Sequence, residues 1–379
     1  MAKTWAVHDA YREYSDALRE VDALWAAKGL DDEQTVLDGY RWAVSLASIA
    51  ADVFVWADEK RPRFVDIVGP YKKFNGDNTD AFYQFAPIDP TRTYIVRGVA
   101  GDAVYFSLTI YGTSLDKTED RVVDTDRIVA IVNDRDLGCS PGESFEIALG
   151  PSRPEGWTGE FVELAPESVC AITRDYLRDA RLERRVEWKI ESLDAPATFR
   201  DSDEALASRF LAAARWVRSH VVSFPTQFAQ PNKIQAPYPV PKVTSGWAAG
   251  DAAYAMGAYE LSDDQVLVVR GTSPECRFWN LCLWTPFLTT YNYEYDEPVS
   301  IHGHNVRYEA DGSWTVVIAA SDPGHPNWIS TAGHRSGRLW FRWFYPADTP
   351  MCPTCEVVPW GDAPTELTVL GPESEGNDG

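Results

Sequence analysis

The chain has 379 residues, 45% hydrophobic and 13% aromatic, which suffices for the cores of about two or three units. Its 57 acidic and 35 basic residues leave a formal net charge of −22, and a field of that sign repels nucleic acid and anionic membrane surfaces. Six cysteines in so long a chain do not form the disulfide framework of a small secreted domain.

The N-terminus lacks the basic start and apolar run of a secretory signal peptide. The longest apolar stretch, residues 42–57, is bounded by charge and is too short to cross a bilayer. We interpret this stretch as a buried helix. We therefore expect a cytoplasmic protein without membrane insertion.

The first 60 residues have the pattern of helices. Apolar side chains recur at helical spacing from Leu18 to Trp25, and Gly29 offers a stop signal. A second helix is expected to begin near residues 31–33. These features define an N-terminal helical region, residues 1–60.

After residue 60, glycine and proline divide the chain into short segments of alternating hydrophobicity, which is typical of β-strands. Residues 94–98 and 103–111 are predicted to pair as a hairpin or meander. Further strands of this first β module, residues 61–200, are predicted at 127–132, 144–149, 161–164, 168–174 and 184–190.

A helix and a connector follow, over residues 201–241. Asp201 and Glu204 have the spacing of a capping box and predict a helix that ends near Val221. The prolines from Pro225 onward then favour an extended connector, because proline interrupts helices.

A second β module is predicted over residues 242–360, with an acidic, loosely held tail at 361–379. Its predicted strands are 265–270, 278–283, 314–319 and 338–345.

The two β regions agree in the order and spacing of their motifs, which indicates an internal duplication with an offset of about 170 residues. The matched segments are 94–98 with 267–271, 133–136 with 309–312, 145–151 with 314–323, Trp157 with Trp328, and 174–176 with 342–344. We therefore predict an α+β, mainly β fold. It comprises two tandem jelly-roll or β-sandwich modules, the N-terminal helical region, and a helix before the second module.

Two runs resemble bacterial domains of unknown function. The run from Gly76 to Tyr83 resembles the "NNDT-x-Y" segment of the domain of unknown function 1254. The run from Asp311 through Asn327-Trp328 to Pro346 resembles the domain of unknown function 1214, with its "adGS" turn, "NW" pair and "R-x-Y-x-P" end. Here one extra residue, Phe344, stands within that last motif. The resemblance implies paired jelly-roll-like modules with helical additions, and it implies little about chemistry.

Histidine is distributed unevenly. Four of the six histidines lie between residues 302 and 334 of the second β module, and the first β module has none. His8 and His220 stand alone in helical regions and are expected to be structural or solvated. Duplicated folds often keep one working half, so we expect a functional site in the second module.

The run of residues 324–337 combines imidazole, guanidinium, amide and indole groups. A histidine with a pKa of roughly 6.5 can serve as an acid or a base near neutral pH. The alternative is an ordered loop in which Asn327 and His334 hydrogen-bond to the backbone. The predicted roles are general acid or base for His334, anion stabilisation for Arg335, a stacking platform for Trp328, substrate contacts for Asn327 and His325, and a secondary catalytic carboxylate for Asp80.

A metal site is the other hypothesis for the second module. His302 and His304 are expected to share one side of a strand, and Glu309 follows, which is similar to the metal motif of cupins, with His334 as a fourth ligand. The alternative is that His302 and His304 decorate a solvent-facing strand or loop.

Two further clusters are open to two interpretations each. Asp77, Asn78 and Asp80 form either a Ca²⁺ loop or, as we favour, a turn stabilised by Asx contacts. Cys352 and Cys355 have redox-motif spacing but lack a following strand–helix pattern, so a loose dithiol is favoured over a zinc site.

The arginines repeated in both halves, Arg97, Arg270, Arg174 and Arg342, are expected to be mainly structural, with buried carboxylate partners.

We expect a small-molecule enzyme with acid/base, hydrolase or lyase chemistry, acting on an apolar or ring-containing metabolite in the cleft between the modules. The sequence lacks the Walker, Rossmann and G-x-S-x-G motifs, so no nucleotide cofactor is expected, while a divalent metal stays open. The alternatives are a non-catalytic ligand- or glycan-binding protein and a cupin-like metalloenzyme. Homo-oligomerisation stays open.

Overall fold

The computed structural model describes residues 5–28, 32–114, 125–196, 198, 200–225, 230–238, 247–294 and 297–367. The chain divides into two compact units. Unit 1 comprises Met1–Gln227, Val240–Asp251 and Thr285–Thr290, and unit 2 comprises Phe228–Pro239, Ala252–Trp284 and Tyr291–Gly379.

The longer helices belong to unit 1 and agree with the predicted helical regions. They are α1 (Ala6–Ala27), α2 (Glu33–Ala50) with a π-helical turn after it (Ala51–Val55), and α4 (Asp203–Ser223). A further helix of one turn, α3 (Asp134–Leu137), lies in the first β module and was not predicted. The apolar stretch 42–57 lies in α2 and the π-helical turn, with Trp42, Leu46 and Ile49 buried. Of the described helices, none has the length and apolarity needed to cross a membrane. Gly29, the predicted stop, lies outside the described residues.

The helix before the second module packs against α1. Arg218 of α4 pairs with Glu13 and Glu20 of α1, at 2.7 Å for the Glu20 carboxylate. The predicted start of α4 was wrong by one residue. Ser202 is the N-cap, because its hydroxyl accepts the N–H of Ala205, a role assigned from the sequence to Asp201.

Each unit contains a sandwich of two sheets. The strands of unit 1 are β1 (Val65–Val68), β2 (Ala81–Pro87), β3 (Tyr94–Val99), β4 (Tyr105–Gly112), β5 (Arg127–Asn133), β6 (Ser144–Gly150), β7 (Glu160–Glu163), β8 (Ser168–Tyr176) and β9 (Glu187–Ser192). Those of unit 2 are β10 (Lys233–Ile234), β11 (Ala252–Glu260), β12 (Gln265–Gly271), β13 (Phe278–Trp284), β14 (Ser300–His302), β15 (Trp314–Ala319), β16 (Trp328–Ser330), β17 (Ser336–Phe344) and β18 (Thr354–Pro359).

The strand orders of the two units are the same, which confirms the duplicated β architecture. The sheets of unit 1 run β1-β2-β8-β4-β5 and β7-β6-β3-β9, and those of unit 2 run β10-β11-β17-β13-β14 and β16-β15-β12-β18. Strands β10 to β18 of unit 2 thus correspond one to one, and in the same chain order, to strands β1 to β9 of unit 1. Even the parallel pair β6 and β7 recurs, as β15 and β16.

Equivalent aromatic side chains fill the space between the two sheets. Phe106 and Phe145 stack at 5.6 Å in unit 1, and Trp279 and Trp314 stack at 5.3 Å in unit 2. Gly98 lies opposite Phe145 and Gly271 lies opposite Trp314. The missing side chain at each glycine leaves room for the ring of the neighbouring strand.

The strand register corrects two of the matched segments. In unit 1, Ser107 of β4 lies between Asn133 of β5 and Arg174 of β8. In unit 2, Asn280 of β13 lies in the same way between His302 of β14 and Arg342 of β17. Asn133 therefore corresponds to His302 and not to Glu309. In the parallel pairs, Phe161 lies opposite Ala148 and Trp328 lies opposite the equivalent Val317. Trp328 therefore corresponds to Phe161 and not to Trp157.

The predicted hairpin of residues 94–98 and 103–111 was also wrong. Both strands exist, but β3 pairs with β6 and β9, whereas β4 pairs with β5 and β8 in the other sheet. Alternation indicates which side chains are buried, and it does not specify the pairing partner.

The repeated arginines have two kinds of environment. Arg97 and Arg270 are exposed and pair with carboxylates on the surface, at 2.6 Å from Glu146 and 3.0 Å from Glu356. The carboxylate partners of these two arginines are thus exposed and not buried as predicted.

The other two repeated arginines are buried against aromatic rings. Arg174 lies 5.0 Å from the ring centroid of Tyr83 and donates to the Tyr111 hydroxyl at 2.8 Å. Arg342 lies 5.0 Å from the Trp284 ring.

Candidate functional site

His334 lies in a buried cluster of aromatic and basic side chains in unit 2. Its ring stacks on Tyr291 at 4.1 Å with an interplanar angle of 10°, and its Nδ1 lies 3.0 Å from the carbonyl of Thr331. The hydroxyl of Tyr291 shares a hydrogen bond with that of Tyr259. Burial also lowers the pKa of Arg338, an effect that these two tyrosines oppose. His334 stays a predicted acid or base.

Two other predicted residues of this loop have different partners. Arg335 is exposed and pairs with the exposed carboxylate of Asp263 at 2.7 Å, an interaction that contributes little to stability. Trp328 is half-buried and donates from Nε1 to the carbonyl of Ala319 at 3.2 Å. Anion stabilisation by Arg335 and stacking of a substrate on Trp328 stay predictions.

Asn327 connects three segments of unit 2 and is buried. Its Oδ1 accepts the N–H of Arg307 at 2.7 Å, and its Nδ2 donates to the carbonyls of Arg307 and Thr315 at 2.7 and 2.8 Å. The prediction that Asn327 and His334 hydrogen-bond to the backbone is therefore confirmed. The amide group of Asn327 is fully used in this structural role.

His325 is held by Asn327 in a defined tautomer. Its Nδ1 accepts the N–H of Asn327 at 3.1 Å, so Nε2 carries the hydrogen of the neutral ring. Nε2 is buried and has no hydrogen-bond partner among the described residues. Burial lowers the pKa of His325, and the charge of Glu309 opposes this effect. The imidazole is thus neutral near pH 7.

Glu309 is the carboxylate that acts on His325. Its side chain is only 9% exposed, and within the described part of the chain neither carboxylate oxygen has a hydrogen-bond partner. A tight turn positions it before β15. The N–H of Glu309 bonds to the carbonyl of Ser313 at 2.8 Å, and Gly312 supplies the positive φ of +83°.

The buried carboxylate borders a pocket of about 360 Å³ in unit 2. Arg270, Thr315 and Thr354 are among the lining residues, and Trp314 forms part of the wall. A volume of this size suits a small metabolite. The pocket lining therefore combines the guanidinium of Arg270 with the carboxylates of Glu309 and Asp311, and the imidazole of His325 lies behind Glu309, outside the lining.

The proposed metal ligands do not form a metal-binding group. The strand β14 ends at His302, so His304 lies in the following turn, where it is exposed while His302 is buried. His304 therefore lies beyond the strand, although both imidazole rings pack against Phe278 with their centroids 6.0 Å apart. Across the described ranges, no group of three or more His, Cys, Asp or Glu side chains is arranged to hold a metal ion.

The acidic loop of unit 1 is a structural turn. Asp77 accepts the N–H and the hydroxyl of Thr290 at 2.7 and 2.8 Å, and Asn78 accepts the N–H of Asp80 at 2.9 Å. These contacts confirm the favoured interpretation, a turn with an Asx contact. The catalytic role of Asp80, which lies in unit 1, stays a prediction.

The two cysteines of the C-x-x-C pair are free thiols near the edge strand β10. The Cys352 sulfur lies 3.6 Å from the carbonyl of Ile234, and Cys355 belongs to β18. Burial raises the pKa of Cys355 to about 12, so this thiol is protonated at neutral pH. A protonated thiol is a poor nucleophile, which agrees with an unreactive dithiol.

Comparison with known families identifies the second β module. Residues 257–348 match the family described as a protein of unknown function, DUF1214. The matched residues lie mainly in unit 2. The resemblance seen in the C-terminal half is thereby confirmed, and the likeness of the N-terminal half to the domain of unknown function 1254 stays a prediction.

One solved structure shares the fold over most of the chain, and a second is more distantly similar. An uncharacterised protein from Burkholderia cenocepacia is 27% identical, with a TM-score of 0.83 over 93% of this chain and 98% of that one. The VPA0106 protein from Vibrio parahaemolyticus is 12% identical, with a TM-score of 0.49 over 84% of this chain and 98% of that one. No curated protein matches the chain significantly.

Sequence reasoning named His325 and Glu309 but assigned them to different hypotheses. Sixteen positions separate them along the chain (325 − 309), so no local motif joins them. The parallel pairing of β15 with β16, together with the Asn327 clamp, brings the loop of His325 back to the start of β15. The sequence therefore contained the residue types of the candidate site, but their spacing did not indicate that His325 and Glu309 lie close together.

Proposed function

We propose that unit 2 contains the active site of a small-molecule enzyme in which Glu309 and His325 perform acid/base chemistry. The observation that carries the proposal is the buried Glu309 carboxylate, whose two oxygens lack a partner in the described residues, next to a buried imidazole with a free Nε2–H. Leaving such groups unpaired costs stability, and exceptions of this kind concentrate at functional sites.

The chemistry that suits this pair is proton abstraction next to a carbonyl group. Glu309 would remove the proton as general base, and the neutral Nε2–H of His325 would donate a hydrogen bond to the oxygen on which charge develops. An isomerase or lyase reaction follows from these roles. The carboxylate oxygens are shielded and His325 is buried outside the pocket lining, so the proposal requires the side chains of both Glu309 and His325 to turn toward the pocket when substrate binds.

Arg270 at the pocket surface supplies a cation for a negatively charged group of the substrate. It now pairs with Glu356 on the exposed surface, a contact that a bound carboxylate can replace at little cost. This feature favours a small carbonyl compound that also carries a carboxylate.

The comparison between units supports a site specific to unit 2. Trp314 of β15 and Phe145 of β6 are equivalent, so the position of Glu309, five residues before Trp314 (314 − 309), corresponds to Ser140 in unit 1. Ser140 is exposed. The buried carboxylate is thus a departure from the shared scaffold.

Deuterium incorporation tests the proposal even though the substrate is unidentified. The purified protein is incubated in D₂O with a small-molecule extract of bacterial cells, and mass spectrometry follows both deuterium uptake and conversion. We expect Glu309→Gln to abolish both, with a loss on the order of a hundredfold or more, the usual contribution of a general base. The matched control is Glu275→Gln, an exposed residue of unit 2 away from the pocket.

The variants His325→Gln and His334→Gln decide between the two histidines. Loss of turnover in His334→Gln alone would transfer the acid/base role to the Tyr291 cluster. If wild-type protein labels or converts no compound while still retaining one by equilibrium dialysis, the domain is a ligand-binding protein and the enzyme proposal is wrong.

A further inference from the structure

A second pocket lies in unit 1, on the exposed face of the sheet β7-β6-β3-β9. Its volume is about 610 Å³, within the usual range for small-molecule sites. The strand register builds its floor from two rows of side chains. Glu146, Arg97 and Lys189 lie side by side across three strands, and the next row on the same face contains Val99 and Glu187.

The floor of this pocket is largely polar and balanced in charge. Its lining has two basic side chains, Arg97 and Lys189, and two acidic ones, Glu146 and Glu187. Arg97 pairs with Glu146 at 2.6 Å and also with Glu191, so its planar guanidinium is held in place. A balanced floor does not select a phosphate group or a polyanion.

An indole ring forms one wall of the pocket. Trp157 is half-buried in the loop of residues 156–159, and its Nε1 donates to the carbonyl of Glu160 at 2.8 Å. Arg153 holds the same loop by donating to the carbonyl of Gly159 at 2.9 Å. The ring is therefore fixed before any ligand arrives, which lowers the entropic cost of binding.

We propose that this pocket of unit 1 binds a neutral saccharide. A rigid indole face suits the apolar face of a sugar ring, and the paired Arg97 and Glu146, together with the Lys189 ammonium, can exchange hydrogen bonds with its hydroxyls. The balance of charge favours a neutral polyol over an anionic ligand. This inference concerns unit 1 and is independent of the acid/base site proposed for unit 2.

The equivalent sheet of unit 2 lacks this arrangement within its described residues. Trp328 occupies the position of Phe161 on the strand, and it does not line the pocket near Glu309. In that pocket the residues before β18, Met351 and Cys352, contribute to the lining instead. The two pockets thus share a strand framework and differ in the groups that a ligand would meet.

Saturation-transfer NMR and calorimetry test the proposal with three probes: maltotriose, cellotriose and chitotriose. We expect wild-type protein to bind at least one of them, and Trp157→Ala to weaken that binding roughly tenfold or more through loss of the ring contact. Trp157→Phe should lose less affinity, because a smaller ring remains. The matched control is Trp56→Ala, a tryptophan of unit 1 that is 69% exposed and lies outside the pocket.

The proposal is overturned if wild-type protein binds none of the three probes, or if Trp157→Ala binds as tightly as wild type. Preferential binding of a sulfated saccharide over the neutral probes would also overturn it. Should Trp157→Ala fail to fold, Trp157→Phe and Lys189→Ala decide. Unchanged affinity in both variants rejects the site, and weakened affinity in both supports it.

Discussion

Asp251 makes the stability of unit 1 dependent on pH. Its carboxyl group is buried and accepts a hydrogen bond from the hydroxyl of Tyr105. Burial raises the pKa of Asp251 from its ordinary value of 3.8 to about 7. The folded state therefore retains a proton that the unfolded chain releases above about pH 4.

The sign and size of the effect follow from this difference. The stability contributed by the neutral carboxyl group is fully present below about pH 4 and is lost as the pH rises to about 7. A shift of about three pKa units corresponds to a loss of at most about 4 kcal/mol in the free energy of unfolding. The substitution Asp251→Asn removes the titration and keeps an oxygen that can accept from Tyr105.

Urea unfolding of wild type and Asp251→Asn between pH 4 and 8 measures the effect. We expect the two proteins to be similar in stability near pH 4 and the variant to become increasingly more stable up to about pH 7, after which the difference is constant. The matched control is Asp9→Asn, a highly exposed carboxylate of unit 1. A difference between Asp251→Asn and wild type that does not change with pH would refute the reasoning.

Two further substitutions test the packing of unit 2. Asn327→Ala leaves the backbone groups of Arg307 and Thr315 without their side-chain partner. We therefore expect the free energy of unfolding, measured with urea, to fall by roughly 3 kcal/mol. A fall of less than about 1 kcal/mol would contradict the structural role of Asn327. Gly271→Ala would place a Cβ 2.7 Å from the Trp314 ring, and the expected loss is about 1–3 kcal/mol; unchanged stability would show that the ring can move aside.

The sequence predicted the elements with strong periodicity and missed those without it. The helices and strands such as β3, β6 and β12 were placed within a few residues, because their apolar positions alternate or recur at helical spacing. The predicted strands omitted β11, in which alanine and glycine weaken the pattern, and the short strands β1, β10, β14 and β16. They also omitted β2 and β18. Pairing partners were not predictable, since β3 and β4 are adjacent in the chain yet belong to different sheets.

The candidate site was predictable as a region and not as a set of contacts. Histidine enrichment directed attention to residues 302–334, where both His325 and Glu309 lie. Burial and hydrogen bonding then distinguish these residues from their neighbours. Asn327 uses all its polar atoms and Arg335 faces solvent, whereas Glu309 is buried without a hydrogen-bond partner in the described chain. Such differences depend on tertiary packing.

The duplication explains why His302 is better understood as a structural residue than as a metal ligand. In unit 1 the equivalent Asn133 accepts the N–H of Arg135 at 2.9 Å, and the Asp136 side chain accepts the N–H of Asn133 at 3.0 Å. In unit 2, His302 Nδ1 accepts the N–H two residues later at 3.1 Å, and Asn305 accepts the N–H of His302 at 2.8 Å. Both units thus close the turn after the equivalent strand with the same reciprocal pair of bonds. The imidazole of His302 takes the place of the Asn133 amide in the turn that both units share. Its Nδ1 accepts a backbone N–H and is therefore not available to a metal ion.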